Sequence, residues 1–92
     1  MDEIFDTHKF LYTIFYKKEF EGYKFLIFRD NREVMVEILK FEVNAKPIVC
    51  RIYDKEGKKY TLPLQFVRKV FLHDELVWDN TDSDISNIKI IN

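Results

Sequence analysis

Basic and aromatic side chains are interleaved around Pro63. They are Lys58, Lys59, Tyr60, Phe66, Arg68 and Lys69. A lysine or arginine beside an exposed aromatic ring can hold a phosphate group while the ring stacks on a base. The alternative is a solvated sheet face, on which lysine and arginine stems cover apolar surface. For a small domain this second interpretation is the more common one, so the residue types alone leave both open.

Residue types that serve catalysis or bind metals occur in this chain without the spacing that such sites need. The histidines His8 and His73 fall at a helix cap and in a hairpin turn, and Cys50 lies within a predicted strand. These positions do not match metal-ligand spacing, and Cys50 is typical of a small buried apolar residue. The two glycines stand apart, so the chain has no glycine-rich phosphate loop. We predict a protein that is not an enzyme and holds no cofactor or metal.

The charge balance limits the kind of partner. The chain has 15 basic and 16 acidic residues, which argues against a protein that follows a long nucleic-acid backbone. Recognition of one phosphate at a chain end remains compatible, because it requires only a few donors. The single cysteine permits no internal disulfide, and no apolar run approaches the ~20 residues of a membrane helix. We therefore expect a cytoplasmic protein that does not contact a membrane.

A helix is predicted at the start of the chain, over 7–18. Asp6 and Thr7 are suitable N-cap residues, and Lys17 and Lys18 suit the negative end of the helix dipole. Four apolar residues recur at the spacing of one helical face, namely Phe10, Leu11, Ile14 and Phe15. The competing interpretation is a strand, because the segment FLYTIFY is rich in aromatic and branched residues.

Six short strands are predicted after the helix, because apolar residues alternate and turn residues separate the runs. We expect these strands at 23–28, 34–39, 48–53, 58–62, 67–72 and 75–78. Gly57 closes one turn in a left-handed conformation, and His73 with Asp74 forms a two-residue turn. Pro63 has no N–H to donate, so strand pairing must stop or bend there.

Together these elements predict an α+β domain. We expect the N-terminal helix to pack on a small, curled, mostly antiparallel sheet of five or six strands, or on a partly open barrel. The predicted core joins Leu11 or Phe15 of the helix to strand residues Phe25, Ile27, Val36, Ile38, Ile52, Leu62, Val67 and Val70. The domain is expected to span 1–79, and 80–92 form a tail that is acidic and then rich in isoleucine.

Three stretches carry the pattern of a known family: FLYTIFYKKEF, YKFLIFRD and RIYDKEGKKYTLPLQFVRKVFLHDELVWD. The first contains the triplet Ile-Phe-Tyr, and the second is a strand that ends in a turn at Arg29. The third contains a proline corner at Pro63, a two-residue turn, and the sequence Glu-Leu-Val-Trp. In these features, over about residues 10–79, the chain resembles the archaeal RNA cyclic group end recognition domain family. The resemblance implies a non-catalytic domain that recognises RNA ends bearing a cyclic phosphate, in RNA repair or processing.

Two positions at the corner depart from the family pattern. Gln65 and Phe66 stand where the family usually has a histidine followed by an arginine. Gln65 can donate hydrogen bonds without charge, whereas Phe66 can stack or pack but cannot bind phosphate. The corner therefore resembles the family's site position with its two most informative side chains replaced.

The predicted function is RNA binding at this corner. The expected phosphate contacts are Arg29, Lys59, Gln65 and Arg68, and the expected stacking residues are Tyr60 and Phe66. The alternative is a protein–protein interaction domain that has lost RNA binding. In that case a sheet edge, or the apolar tail segment 85–91, pairs with a protein partner or with a second copy of the chain.

Overall fold

A computed structural model describes residues 8–44 and 49–80 of the chain. Within them the chain forms one α-helix, six β-strands and a single turn of 3₁₀ helix. This arrangement is the expected α+β class. No helix in the described part of the chain is long and apolar enough to cross a membrane.

Helix α1 spans Lys9–Lys17 and buries the face that carries Leu11 and Ile14. Both side chains belong to the same apolar cluster as the sheet residues, so the helix packs on one face of the sheet. It ends where Lys18 adopts a left-handed conformation and donates its backbone N–H to the Ile14 carbonyl oxygen at 3.1 Å. The predicted helix is confirmed, and its expected cap residues 6 and 7 lie outside the described residues.

The sheet is open, with neighbouring strands antiparallel throughout. The order across it is β4-β3-β2-β1-β5-β6, so β4 and β6 are its two edges among the described residues. The strands are β1 (Tyr23–Arg29), β2 (Arg32–Asn44), β3 (Val49–Asp54), β4 (Lys59–Pro63), β5 (Val67–Leu72) and β6 (Glu75–Asp79). Of the two expected arrangements, the open sheet fits and the barrel does not.

Tight turns set the register of three hairpins. Asp30 and Asn31 have φ values of 54° and 63°, and His73 and Asp74 have 49° and 67°. Two consecutive left-handed residues define the turn that best matches the twist of antiparallel strands. Gly57 has a φ of 91° and closes the β3–β4 turn, in which its N–H donates to the Asp54 carbonyl oxygen at 3.0 Å.

The core lies between the helix and the inner face of the sheet. Every strand residue that the alternation assigned to the core is buried there, as are Cys50 and Leu64. Phe25 and Phe41 meet edge to face with ring centroids 5.0 Å apart, near the centre of the cluster. A side chain buried to this degree contributes about 1.5–3 kcal/mol, so the core accounts for most of the stability of so small a domain.

Strand β2 continues beyond the expected 34–39. The pairing register between β2 and β3 shifts between Ile38 and Lys40, which marks a β-bulge. Leu39 lies at this irregularity and is 58% exposed, while Phe41 returns to the core. The apolar and polar residues therefore change faces within one strand, and this hid the second half of β2 from the alternation pattern.

Asn80, the first residue of the expected tail 80–92, is held against the rest of the described chain. Its backbone N–H donates to the Arg68 carbonyl oxygen at 2.7 Å, and its side-chain nitrogen lies 3.2 Å from Nε2 of His8. Both Asn80 and His8 are buried. The end of the sheet is thus joined to the start of helix α1, and the expected tail segment 81–92 lies outside the described residues.

Candidate functional site

The corner after β4 is built by one proline and two anchoring side chains. Pro63 is the last residue of β4 to pair with β3, opposite Val49, and a 3₁₀ turn over Leu64–Phe66 follows it. Leu64 and Phe66 point into the core, whereas Gln65 between them is half-buried. The turn carries the chain from the edge of the sheet back toward β1, where Phe66 meets Phe28 edge to face at 5.7 Å.

A pocket of about 390 Å³ lies between this corner and the β1–β2 turn. Its size is at the lower end of the range for small-molecule sites. The residues that line it are Phe28, Arg29, Asp30, Asn31, Thr61, Leu62, Pro63 and Phe66. We call this the corner pocket. It brings together a cation, three polar side chains and a largely apolar wall.

Arg29 supplies the positive charge of the corner pocket. It is the last residue of β1, and its side chain is 40% exposed. Its Nε lies 3.5 Å from a carboxylate oxygen of Asp30, and its Cζ lies 5.0 Å from the ring centroid of Tyr60. An exposed ion pair of this length is weak, so an incoming phosphate can compete with Asp30 for the guanidinium group.

The ring of Tyr60 packs against the guanidinium group of Arg29. Its hydroxyl donates to the Asp54 carboxylate at 3.3 Å, and Nζ of Lys58 lies 5.1 Å from its ring centroid. Burial, and then the negative charge of Asp54, raise the pKa of the Tyr60 hydroxyl. Tyr60 is only 7% exposed and two cations lie against its ring, so in this conformation it positions Arg29 and does not present a ring to a base.

Phe66 is also placed differently from an exposed stacking residue. It is 5% exposed, packs against Phe28 and is one of the residues that line the corner pocket. A ligand in the pocket can therefore contact only a small part of this ring, because the rest is packed in the core. Its packing role is therefore larger than the expected stacking role.

Arg68 and Gln65 are joined by a hydrogen bond that stabilises the corner. Arg68 is 6% exposed, and its Nη1 donates to the backbone carbonyl of Gln65 at 3.3 Å. The backbone carbonyl of Arg68 also accepts the N–H of Asn80. Neither Arg68 nor Gln65 lines the corner pocket. The structure therefore separates these two predicted phosphate contacts from Arg29.

Lys59 does not line the corner pocket but lies two residues before Thr61, which does. It is exposed on β4 and shares a strand face with Thr61, which lines the pocket. Residues two apart on a strand lie roughly 7 Å from each other, and a lysine side chain can span that distance. Lys59 and Arg29 are thus the two predicted phosphate contacts that can serve one ligand.

Four residues of the corner pocket were not predicted, namely Phe28, Asp30, Asn31 and Thr61. The Arg29–Arg32 segment is recognisable in the sequence as a polar turn, so its contribution to a site can be suspected from the sequence. Phe28 and Thr61 give no such signal. They reach the pocket because the sheet curls and brings the end of β1 close to β4.

A second, smaller pocket of about 240 Å³ lies on the other side of Tyr60. Asp54 lines it, but one carboxylate oxygen of Asp54 accepts the backbone N–H groups of Glu56 and Lys58, and the other accepts the hydroxyl of Tyr60. These bonds hold the β3–β4 turn. Within residues 8–44 and 49–80, no group of three histidine, cysteine or acidic side chains could hold a metal ion.

No protein-family model matches the chain, and neither the curated proteins nor the solved structures include a significant match. The resemblance to the RNA cyclic group end recognition family therefore stays a prediction. The chemistry of the site rests on the geometry of the corner pocket itself.

Proposed function

We propose that this protein is a non-catalytic RNA-binding module that holds a phosphate-bearing RNA end in the corner pocket, in RNA repair or processing. The observation that carries the proposal is that Arg29 opens into the same pocket that Pro63 and Phe66 line. The family resemblance singles out this corner, and the fold adds a cation to it from a distant strand. A cyclic phosphate carries a single negative charge, which one guanidinium group can hold with charge-assisted hydrogen bonds.

The surroundings of Arg29 suit a weak and selective contact. Tyr60 packs against the guanidinium group, and the exposed Lys59 on β4 is close enough along the strand to reach the pocket with a second positive charge. With two cations, the site neutralises one or two phosphates and not a long backbone. We therefore expect the affinity to fall only shallowly with salt, with a log–log slope of about −0.7 for each phosphate contacted on a single strand.

Titration with matched RNAs tests the proposal. Short oligoribonucleotides of one sequence are prepared with a terminal cyclic phosphate, a linear phosphate or no terminal phosphate, and their binding is followed by fluorescence anisotropy. Arg29→Gln is compared with Arg32→Gln, which removes the same charge from the exposed residue paired with Arg29 across the hairpin. We expect Arg29→Gln to weaken binding of the cyclic-phosphate RNA at least about ten-fold, because a charge-assisted hydrogen bond is lost.

The control variant and the RNA without a phosphate decide the outcome. Arg32 does not line the corner pocket, so Arg32→Gln should change the affinity by no more than about two-fold. Equal binding of the three RNA ends by the wild-type protein would overturn the proposal. Equal losses in the two arginine variants would show a diffuse charge effect and would also overturn it.

A second candidate function is a protein–protein interaction through β6. Among the described residues no strand pairs with the outer side of β6, and Leu76 and Val77 on it are 47% and 39% exposed. Antiparallel pairing of β6 with β6 of a second copy would place Glu75 opposite Asp79, and like charges in facing positions are destabilising. This edge is therefore better suited to an apolar strand that carries a basic residue.

The chain contains such a sequence in 85–91, where Lys89 stands among four isoleucines. The test is the binding of a synthetic peptide with the sequence of 85–91 to a chain that ends at Asn80. We expect saturable binding in calorimetry that Val77→Lys weakens. Absence of binding, or binding unaffected by Val77→Lys, would remove this candidate.

A further inference from the structure

The corner pocket contains more polar chemistry than a phosphate contact requires. Arg29 accounts for the phosphate in the proposed function. Asp30, Asn31 and Thr61 also line the pocket and supply its polar groups, which we call the rim, and Phe28 and Pro63 supply apolar surface, which we call the wall. A pocket lined by both apolar surface and hydrogen-bonding groups can hold an unstacked base and recognise its edge.

The β1–β2 turn carries two of the three polar residues of that rim, Asp30 and Asn31. Asp30 and Asn31 both have left-handed backbone conformations, and the pair Arg29–Arg32 closes the hairpin behind them. The Asp30 side chain is 78% exposed, so its carboxylate is solvated, and one of its oxygens lies 3.5 Å from Nε of Arg29. Two adjacent acceptor oxygens are thus presented at the pocket rim from a two-residue turn.

Among the four RNA bases, guanine matches this rim. Its Watson–Crick edge presents two neighbouring N–H donors beside a carbonyl oxygen. A carboxylate accepts from both donors at once, and the amide of an asparagine can donate to the carbonyl. Adenine, cytosine and uracil each place an acceptor next to a donor on that edge, so one carboxylate oxygen would face a lone pair.

We propose that the corner pocket takes a guanine as the terminal base of the RNA end. In this arrangement Asp30 accepts from the two guanine N–H groups, Asn31 donates to the carbonyl, and the base packs against the wall formed by Phe28 and Pro63. Arg29, which lines the same pocket, holds the adjoining phosphate. The inference rests on the proposed function, because it assigns the base that accompanies the phosphate.

The test uses oligoribonucleotides that carry the same terminal cyclic phosphate and differ only in the terminal base. The wild-type protein should bind the guanine-ended RNA at least about ten-fold more tightly than the other three, as expected for one bidentate contact to a base. Asp30→Asn should abolish this preference, because an amide offers only one acceptor. Asparagine is well suited to the left-handed conformation of position 30, so this variant keeps the turn.

Two further variants separate recognition from folding. Asp30→Gly also suits the turn and should lose the preference in the same way. Asp74→Asn is the matched control, because Asp74 has a similar backbone conformation in the β5–β6 turn, at the other end of β1. This control should keep the full guanine preference.

The possible outcomes show whether the guanine assignment, the role of Asp30 or the proposed function itself fails. Equal affinity for all four terminal bases, with dependence on the cyclic phosphate retained, would overturn the guanine assignment and leave the proposed function standing. A preference for guanine that survives both Asp30 variants would overturn the role of Asp30. Failure to bind any of the four RNAs would overturn both.

Discussion

Phe66 lines the corner pocket, but most of its side chain is packed in the core. Its ring packs edge to face on Phe28 and is almost fully buried, and the residue is also one of those that line the corner pocket. A charged side chain at this position would have to lie in apolar surroundings. An arginine is therefore poorly suited to position 66 of this chain.

Substitutions that introduce the family's histidine and arginine should affect the free energy of unfolding differently at positions 65 and 66. Gln65→His should leave the free energy of unfolding within about 1 kcal/mol, because residue 65 is half-buried at the surface. Phe66→Arg should lower it by roughly 3–5 kcal/mol, through lost packing and an unpaired buried charge. Urea unfolding of both variants measures this, with Phe66→Leu as the control that keeps an apolar side chain. Wild-type stability in Phe66→Arg would show that the ring faces solvent and would restore its stacking role.

Cys50 provides a titration test of the same core. Burial raises the pKa of its thiol from an ordinary value of 9.0 to about 12. The unfolded chain therefore releases this proton at a lower pH than the folded chain. The stability contributed by the protonated thiol is fully present below about pH 9 and is lost as the pH rises toward 12.

Cys50→Ala should accordingly lose less stability than the wild type in alkaline solution. Between about pH 9 and pH 11 we expect the wild-type free energy of unfolding to fall by up to ~1.4 kcal/mol more per pH unit. The raised pKa of Tyr60 contributes to the alkaline loss in both proteins and cancels in the comparison. Urea unfolding at a series of pH values gives the two curves. Curves that stay parallel above pH 9 would show that the thiol is not buried.

At the scale of elements, the β3–β4 turn depends on one backbone conformation. Gly57 has a φ of 91°, and a Cβ atom built there would meet nothing within 4 Å. Gly57→Ala therefore tests backbone strain alone, and should lower the free energy of unfolding by about 1–2 kcal/mol. Gly57→Asn should cost less, because asparagine tolerates positive φ. Equal thermal stability of Gly57→Ala and the wild type would show that the turn can change its conformation without cost.

The elements themselves were largely predictable because each is specified by local sequence. An apolar run bounded by turn residues defines β1 and β5, and the two-residue turn at His73 and Asp74 defines the hairpin between β5 and β6. The second half of β2 was missed, because the bulge after Ile38 shifts the alternation by one residue. Local patterns therefore predict a strand well as long as its alternation of core-facing and solvent-facing residues continues without a bulge.

The corner pocket was only partly predictable because it depends on contacts between strands distant in sequence. Arg29 and Lys59 were expected to act together, and the structure places both near the pocket. Tyr60 and Arg68 were expected to face the ligand, but both are buried and support other groups. Residue type indicates which side chains can bind phosphate, whereas the curl of the sheet decides which of them face the same space.

At the scale of the whole molecule, the boundary of the folded unit can be measured at a single residue. A chain that ends at Asn80 should keep the stability of the full chain within about 1 kcal/mol. Ending it at Asp79 should cost a further 1–3 kcal/mol or so, because two hydrogen bonds from Asn80, to Arg68 and His8, are lost. Thermal and urea unfolding of the two chains give the difference. Equal stability would place Asn80 outside the folded unit, and unfolding of the longer chain would place 81–92 inside it.

The contact between His8 and Asn80 also makes the two ends of the described domain neighbours in space. A short glycine-rich linker can therefore join residue 8 to residue 80 without stretching either element. Opening the chain at the exposed β3–β4 turn would then give a circular permutant that begins with β4 and ends with β3. Every strand of that permutant keeps its neighbours in the sheet, but the corner pocket is completed only when β1 and its turn to β2 are synthesised near the end of the chain.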